Sequence, residues 1–363
     1  MTKTLEAICS YRSEKASASL IGTEDLYIST ESISSNRGGV SRASVPGKGK
    51  VARFRDGDTL VSNIRPYFKK IWQADCDGYC SNDVLVFQPA EDCNPDYLYW
   101  LLCGDEFFEY VMATSKGTKM PRGDKAAIMS YAIPSNSEMT QQQIASIMNP
   151  FRSKIATNAK LNGYLEELCD ALFLDFLERA DSSWHEGTLK ELAEVKYGKD
   201  HKKLADGPYP VYGSGGFMRS AEKSLFSGES VLIPRKGSLN NVMYVNEAFW
   251  TVDTMFFTVP RIPGAAKFLY QYVKRLDLAS MNSGSAVPSM TTSILNALSL
   301  PVPPRDSLLS FNAELQSMYD AVRANNLENR RLESLRDSLL PKLMAGEIDV
   351  SKIDPTQLNS HLA

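Results

Sequence analysis

Histidine is scarce in this 363-residue sequence: His185, His201 and His361 are all there is. Three scattered imidazoles support neither a His-based metal cluster nor a catalytic triad. No apolar run approaches the roughly 18 residues that a membrane span needs. The first ten residues, Met1 to Ser10, show no charged-then-apolar signal pattern. The expectation is a cytoplasmic protein with no membrane association. Positive charge is not in excess either, with 40 Lys+Arg against 43 Asp+Glu and a net charge of −3. Binding to nucleic acid through a bulk positive field is thereby excluded, and any such contact must come from local patches or a basic partner. The six cysteines are Cys9, Cys76, Cys80, Cys93, Cys103 and Cys169, too few for a secreted disulfide framework. Cys76 and Cys80 have a spacing that suits zinc, but no second tight pair or histidine lies near them. Reduced, partly buried thiols and no metal are expected.

What is present is ordinary globular composition, 43% apolar and 23% charged, sufficient for two to three domains. The chain also repeats itself. Arg65 and Asp83, in Ile64-Arg65-Pro66 and Ser81-Asn82-Asp83-Val84, match Arg235 and Asp253 in Pro234-Arg235-Lys236 and Thr251-Val252-Asp253-Thr254. Ser115-Lys116-Gly117-Thr118-Lys119-Met120-Pro121 matches Asn282-Ser283-Gly284-Ser285-Ala286-Val287-Pro288. Each unit reaches a proline-marked exit, Ile133-Pro134 and Leu300-Pro301, followed by a long segment of different character.

Those segments carry the strongest periodicity. A 4-3 spacing picks out Ile144, Met148, Phe151, Ile155, Asn158, Asn162, Leu165, Cys169, Leu172 and Phe176. In the second segment it picks out Phe311, Leu315, Met318, Val322, Asn325, Asn329, Leu332, Arg336, Leu339 and Leu343, each 167 positions on. This is a heptad seam. Ser135 with Glu138 reads as a capping box and Asp306 follows the second proline run. Two amphipathic helices, each packed on its own domain, satisfy the pattern. So does an antiparallel coiled coil, and the paired asparagines favour it. If Asn158 faces Asn329 and Asn162 faces Asn325, every other seam residue also meets a partner at the same constant sum, 487. Apolar pairs then fill both ends, Phe151 opposes Arg336, and a snorkelling guanidinium relieves that one mismatch. The four asparagines act as a register device, because a slip buries amides against leucine. About 33 residues at ~1.5 Å each make a rod on the order of 50 Å long.

The repeat bodies, about 1–136 and 182–304, hold short β-type runs: Thr59–Ile64, Asp83–Phe87, Ser230–Ile233, Val242–Val245 and Met255–Val259. Helical stretches at Pro95–Tyr110 and Ala265–Leu278 interrupt them. The fold class is therefore α+β: two mixed α/β bodies joined by two long helices, with an internal pseudo-two-fold repeat.

Enzyme motifs fail on context. Asn94-Pro95-Asp96-Tyr97 and Asn149-Pro150-Phe151 are similar to the Asn-Pro-Pro-Tyr loop of amino-methyltransferases. No glycine-rich turn after a buried strand accompanies them to hold S-adenosylmethionine. Asp56, Asp58, Asp75, Asp77 and Asp83 have no metal-nuclease spacing, and turn capping accounts for Asp56-Gly57-Asp58.

Basic and amide-bearing loops recur in both bodies. The first has Arg65, Lys69 and Lys70, then Lys116, Thr118, Lys119 and Arg122. The second has Lys199, Lys202 and Lys203, then Ser214, then Arg235, Lys236, Ser238, Asn240 and Asn241, then Asn282 and Ser285. Lys, Arg, Ser and Thr are phosphate contacts, and Arg and Asn read base edges. Solvated turns have the same composition, so it is the repetition in both bodies that favours a DNA surface.

The chain resembles the specificity subunits of type I restriction-modification systems over nearly its whole length. Leu339-Leu340-Pro341-Lys342-Leu343-Met344-Ala345-Gly346-Glu347-Ile348 is very like that family's second helix end, and Leu165 to Phe173 is its first-helix counterpart. Tyr212 to Gly216, with Val231 to Gly237, is similar to its target recognition domain. The resemblance implies target recognition domains at 1–136 and 182–304, long helices at 137–181 and 305–346, and a polar tail at 347–363. It implies a non-catalytic subunit for defence against foreign DNA that reads an asymmetric, bipartite duplex site. Two modification (methyltransferase) subunits and restriction/translocase subunits are the implied partners. S-adenosylmethionine, ATP and Mg are expected on those partners and not on this chain. A coiled-coil scaffold for protein interactions is the alternative. Base-reading residues vary within the family, so the resemblance assigns none of them.

Overall fold

The computed structural model describes residues 3–281 and 289–353. The chain forms two compact units, one of Met1–Lys160 with Asn325–Ala363 and the other of Leu161–Ala324. Each contains one repeat body and a portion of each long helix.

In the first unit, four antiparallel strands run in the order Cys9–Tyr11, Val84–Pro89, Thr59–Ser62, Ile71–Gln73. The run Val84-Leu85-Val86-Phe87 is wholly apolar because both faces of the strand are covered. With a side-chain period of two, Leu85 and Phe87 enter the cluster beneath the helices. Val84 and Val86 enter another, with Ile28, Phe54 and Cys80. That second cluster lies against a separate sheet, Lys15–Ser17, Lys50–Phe54, Gly78–Cys80, Tyr27–Ile28.

The second unit repeats the four-strand core: Ala193–Tyr197, Met255–Pro260, Phe226–Pro234, Met243–Thr251, again antiparallel throughout. Alternation partitions it in the same way. Val231, Ile233 and Phe256 pack toward the helices, and Leu232, Met255 and Phe257 pack on the other side. Here the sheet continues into Tyr209–Gly213, parallel to its neighbour, and Gly216–Ala221. Each unit also has a two-strand clasp, Lys3–Thr4 with Ala132–Ile133 and His185–Thr188 with Ser299–Val302.

The helical stretch expected over Pro95–Tyr110 is two helices, Pro95–Cys103 and Asp105–Ala113. Gly104 breaks it with extended backbone (φ −62°, ψ 148°). Asn94 caps the first of them by accepting from the Tyr97 N–H, with Pro95 in the first turn. Asn149 accepts from the Trp100 indole at 2.8 Å and donates to Asp96 at 2.7 Å. Both Asn-Pro strings thus have structural roles.

The long helices are Glu138–Glu178 and Arg305–Met344. Ser137, not Ser135, caps the first, accepting from the Thr140 N–H at 3.2 Å. Asp306 sits inside the first turn of the second, whose opening carbonyl is Pro304. The helices pair antiparallel within each unit. In the first unit Asn158 donates to Asn329 Oδ1 at 2.9 Å and to Glu328 at 2.7 Å, and Ile144 and Met148 share a core with Leu339 and Leu343. In the second, Phe176 stacks on Phe311 with ring centroids 4.3 Å apart, and the Cys169 and Met318 sulfurs lie 3.7 Å apart. All of these fall on the expected register. Asn162 is buried in the second unit and Asn325 half-buried in the first.

Arg336 departs from expectation. It does not snorkel: it is 6% exposed, with Nε donating to Asp337 at 2.8 Å. Its burial beside Tyr99 and Cys103 follows from the helices of the first body closing over this stretch of the seam. Beyond the second helix, Ile348, Val350 and Ile353 pack on the first unit's core, so this stretch of a segment that reads as polar is anchored.

Candidate nucleic-acid interface

In the first unit the central strand Thr59–Ser62 ends in a turn at Arg65, Pro66, Tyr67 and Phe68. Arg65 (φ 52°) and Lys69 (φ 49°) are both left-handed, a conformation that costs a non-glycine residue about 1 kcal/mol or more. Hydrogen bonds hold it: Lys69 N–H to Pro66 carbonyl at 2.8 Å, Arg37 N–H to Lys69 carbonyl at 3.0 Å, and Arg65 N–H to Pro121 carbonyl at 2.9 Å. The last bond and the Ile64–Arg122 bridge dock the loop Ser115–Arg122 beside the turn.

On that loop Lys116, Thr118, Lys119 and Arg122 are exposed. Arg122 reaches Asp83 at 3.3 Å. Lys116 pairs with Asp124, which raises the lysine pKa; Asp124 is lowered by that pair and by the helix N–H groups it caps. The structure therefore brings Arg65, Lys116, Thr118, Lys119 and Arg122 to one surface. Lys69 and Lys70 are turned inward. Lys69 pairs with Asp105 at 2.8 Å, and Lys70 donates to the Thr30 carbonyl at 2.7 Å. Burial pushes the Lys70 ammonium below the ordinary lysine range, with Glu31 opposing.

The second unit builds the equivalent corner. Phe226–Pro234 ends at Arg235, whose N–H bonds the Thr254 carbonyl at 2.8 Å, and Lys236 bridges to Ser289. Ser289 stands 167 positions after Arg122, so the two corners are the same construction. The Arg–Asp match found in the repeat is resolved differently in each. Arg235 donates to the Asp253 main-chain carbonyl at 3.0 Å, whereas Asp83 is met by Arg122 and not by Arg65. Tyr212 to Gly216 forms a hairpin turn, with Ser214 at its tip. Asn241 donates to the Ser214 carbonyl at 2.8 Å, and Gly237 (φ +87°) closes on the Ser214 side chain, so the two loops touch. Asn240 is spent on Asp277 and on the Ala279 N–H. Lys199, Lys202, Lys203, Lys236 and Ser238 are exposed. Gly198, preceding Lys199, lies so close to Val252 that a Cβ would fall 2.0 Å from its carbonyl oxygen. Asn282 and Ser285 lie outside the described residues.

The charge-based reading missed the apolar members of both surfaces. Tyr67 (48% exposed), Phe68 and Met120 stand among the basic residues of the first, and Tyr197, Phe217 and Met218 among those of the second. Tyr197 carries Arg235 over its ring at 5.5 Å. Large apolar side chains in glycine- and proline-marked turns were the available signal. Among the described residues no group of three or more His, Cys, Asp or Glu side chains forms a metal-binding cluster. No helix among them is long and apolar enough to cross a membrane.

A twice-built α/β body, each copy presenting a cationic and aromatic loop corner and bracketed by a paired long helix, defines a duplicated nucleic-acid-reading class of protein. The chain belongs to the family described as the type I restriction modification DNA specificity domain, matched twice, over residues 13–167 and 181–335. Its function is accordingly DNA sequence specificity within type I restriction-modification systems. It is 24% identical, over 414 aligned positions, to the type I restriction enzyme HindI specificity subunit of Haemophilus influenzae, covering 84% of this chain and 89% of that one. With the MjaIX specificity subunit of Methanocaldococcus jannaschii it is 23% identical over 318 positions, covering 73% and 72%. The crystal structure of the type I restriction-modification S subunit from M. genitalium has a similar fold, with a TM-score of 0.55 at 18% identity over 95% of this chain and 96% of that one.

Proposed function

We propose that each repeat body reads one half of an asymmetric, bipartite duplex site, as target recognition domains over 1–136 and 182–304. The observation that carries this is the pair of corners: one strand order and one bridge pattern, bearing different side chains. Shared construction suits a shared docking mode on the duplex, and different loop residues suit different half-sites. Arg65, Lys116, Thr118, Lys119 and Arg122 serve the first half. Lys199, Lys202, Lys203, Ser214, Arg235, Lys236, Ser238 and Asn241 serve the second, with Asn282 and Ser285. Lys69, Lys70 and Asn240 support the loops from within.

On this reading the chain performs no chemistry of its own. Two modification subunits dock on it, carrying S-adenosylmethionine, and restriction/translocase subunits bring ATP and Mg. The near-neutral net charge of −3 supports a subunit that shares its hold on DNA with partners. Replacing residues 182–304 with the equivalent of another member, followed by methylome sequencing, tests the reading. One half of the methylated sequence changes and the other stays. Change in both halves, or in neither, refutes independent reading.

A further inference from the structure

The two corners differ most at one place. After Arg235 the second body continues with Lys236, Gly237 and Ser238, whereas after Arg65 the first carries Pro66, Tyr67 and Phe68. The latter turn is built to present rings. Pro66 is buried and two left-handed non-glycine residues bracket it. Lys69 and Lys70 are tied beneath, to Asp105 and to the Thr30 carbonyl. Tyr67 and Phe68 stand out together, 48% and 37% exposed, with ring centroids 4.6 Å apart. Backbone held in a costly conformation to expose two aromatic rings runs against stability, and such strain gathers at working sites. The neighbouring loop adds the exposed Lys119 and Met120.

We propose that Tyr67 and Phe68 form an aromatic wedge that enters the duplex at a base step in the half-site read by the first body, while the flanking cations hold the phosphates. Apolar side chains inserted between bases are a known way to unstack and bend DNA. A cationic rim supplies the phosphate contacts that such insertion requires. The second body, with glycine and serine at the matching place, lacks this wedge at its corner. The proposal rests on the DNA-specificity reading and assigns a distinct mechanism to one half-site.

The test uses the full chain assembled with its modification subunits. The probe is a duplex carrying the sequence it directs for methylation, compared with the same duplex scrambled in one half or the other, across a salt series. The double variant Tyr67→Ser/Phe68→Ser loses roughly 5- to 100-fold in affinity, the range for one lost base–aromatic stack, with the salt slope unchanged. Tyr67→Phe keeps wild-type affinity. Lys119→Gln instead lowers the salt slope by about 1, as expected for one phosphate contact. If the folded double variant binds within about twofold of wild type, or loses affinity together with slope, there is no wedge. Should the double variant melt early, Tyr67→Ser alone decides, since that ring is half exposed. A wild-type complex that does not distinguish intact from scrambled duplex refutes the specificity reading itself, a different outcome from a wild type that discriminates and a ringless variant that does so equally well.

Discussion

Lys267 offers the sharpest test of how the second body is joined to the long helix it packs on. Its side chain is fully buried in the helix Ala265–Val273. The ammonium uses all three of its protons: an ion pair to Glu229, and hydrogen bonds to Asn312 Oδ1 at 2.8 Å and Gln316 Oε1 at 2.9 Å. Tyr244 and Tyr319 lie with ring centroids 5.7 and 5.6 Å from it, and the Tyr244 hydroxyl also donates to Glu229 at 2.6 Å. One cation thus ties the sheet strand Phe226–Pro234 to the second long helix. Lys267→Met preserves length and removes the charge. Glu229 then keeps only the tyrosine, and two amide oxygens lose their donor. Removing one member of a buried pair costs about 3–5 kcal/mol. Glu229 is a quarter exposed and regains some water, so the lower end, about 3 kcal/mol, is expected. The double variant Lys267→Met/Glu229→Gln no longer leaves a carboxylate stranded and recovers about half of the loss. Native-state hydrogen exchange of amides in Phe226–Pro234 and around Asn312 reads this locally. A loss below about 1 kcal/mol, or a double variant no more stable than the single, refutes the account.

At the helix seam, Asn158→Leu alone strands the Asn329 amide and costs about 1–3 kcal/mol, whereas Asn158→Leu/Asn329→Leu recovers most of it; urea unfolding of the four variants of the cycle checks this. Burial pushes Asp105 upward, but Lys69 and Arg37 outweigh it, so its carboxyl sits below the ordinary range. A lowered folded-state value means that this stabilisation is present above the unfolded carboxylate value of about 4 and lost as pH falls through the depressed value. Thermal melts should therefore separate wild type from Asp105→Asn at neutral pH and converge in acid. Cys76 is exposed, whereas burial pushes the Cys9, Cys80 and Cys93 thiols up to about 12. Alkylation near pH 8 followed by mass spectrometry should label Cys76 first, and early labelling of Cys80 refutes the placement.

Much of this architecture was legible because it rests on periodicity. The heptad seam needs only side-chain spacing, and the asparagine pair set its register before any coordinate: Asn158 meets Asn329, and Phe176 meets Phe311. The strands showed because Val84–Phe87 and Met255–Phe257 are runs of apolar residues, which a sheet covered on both faces requires. The repeat was visible as matched strings, and the shared strand order is its consequence. What the sequence left open were interactions between residues distant in the chain. A lysine in a loop reads the same whether its ammonium faces solvent, as with Lys119, or a main-chain carbonyl 40 positions away, as with Lys70. Arg336 looks like a seam mismatch that must reach water, yet the first body closes over it. Lys267 carries no motif; only packing makes it the tie between sheet and helix. Local spacing determines which elements form, because backbone and side-chain periods act over a few residues. The environment of each charge depends on which elements close over it, and that was decided only by the tertiary fold.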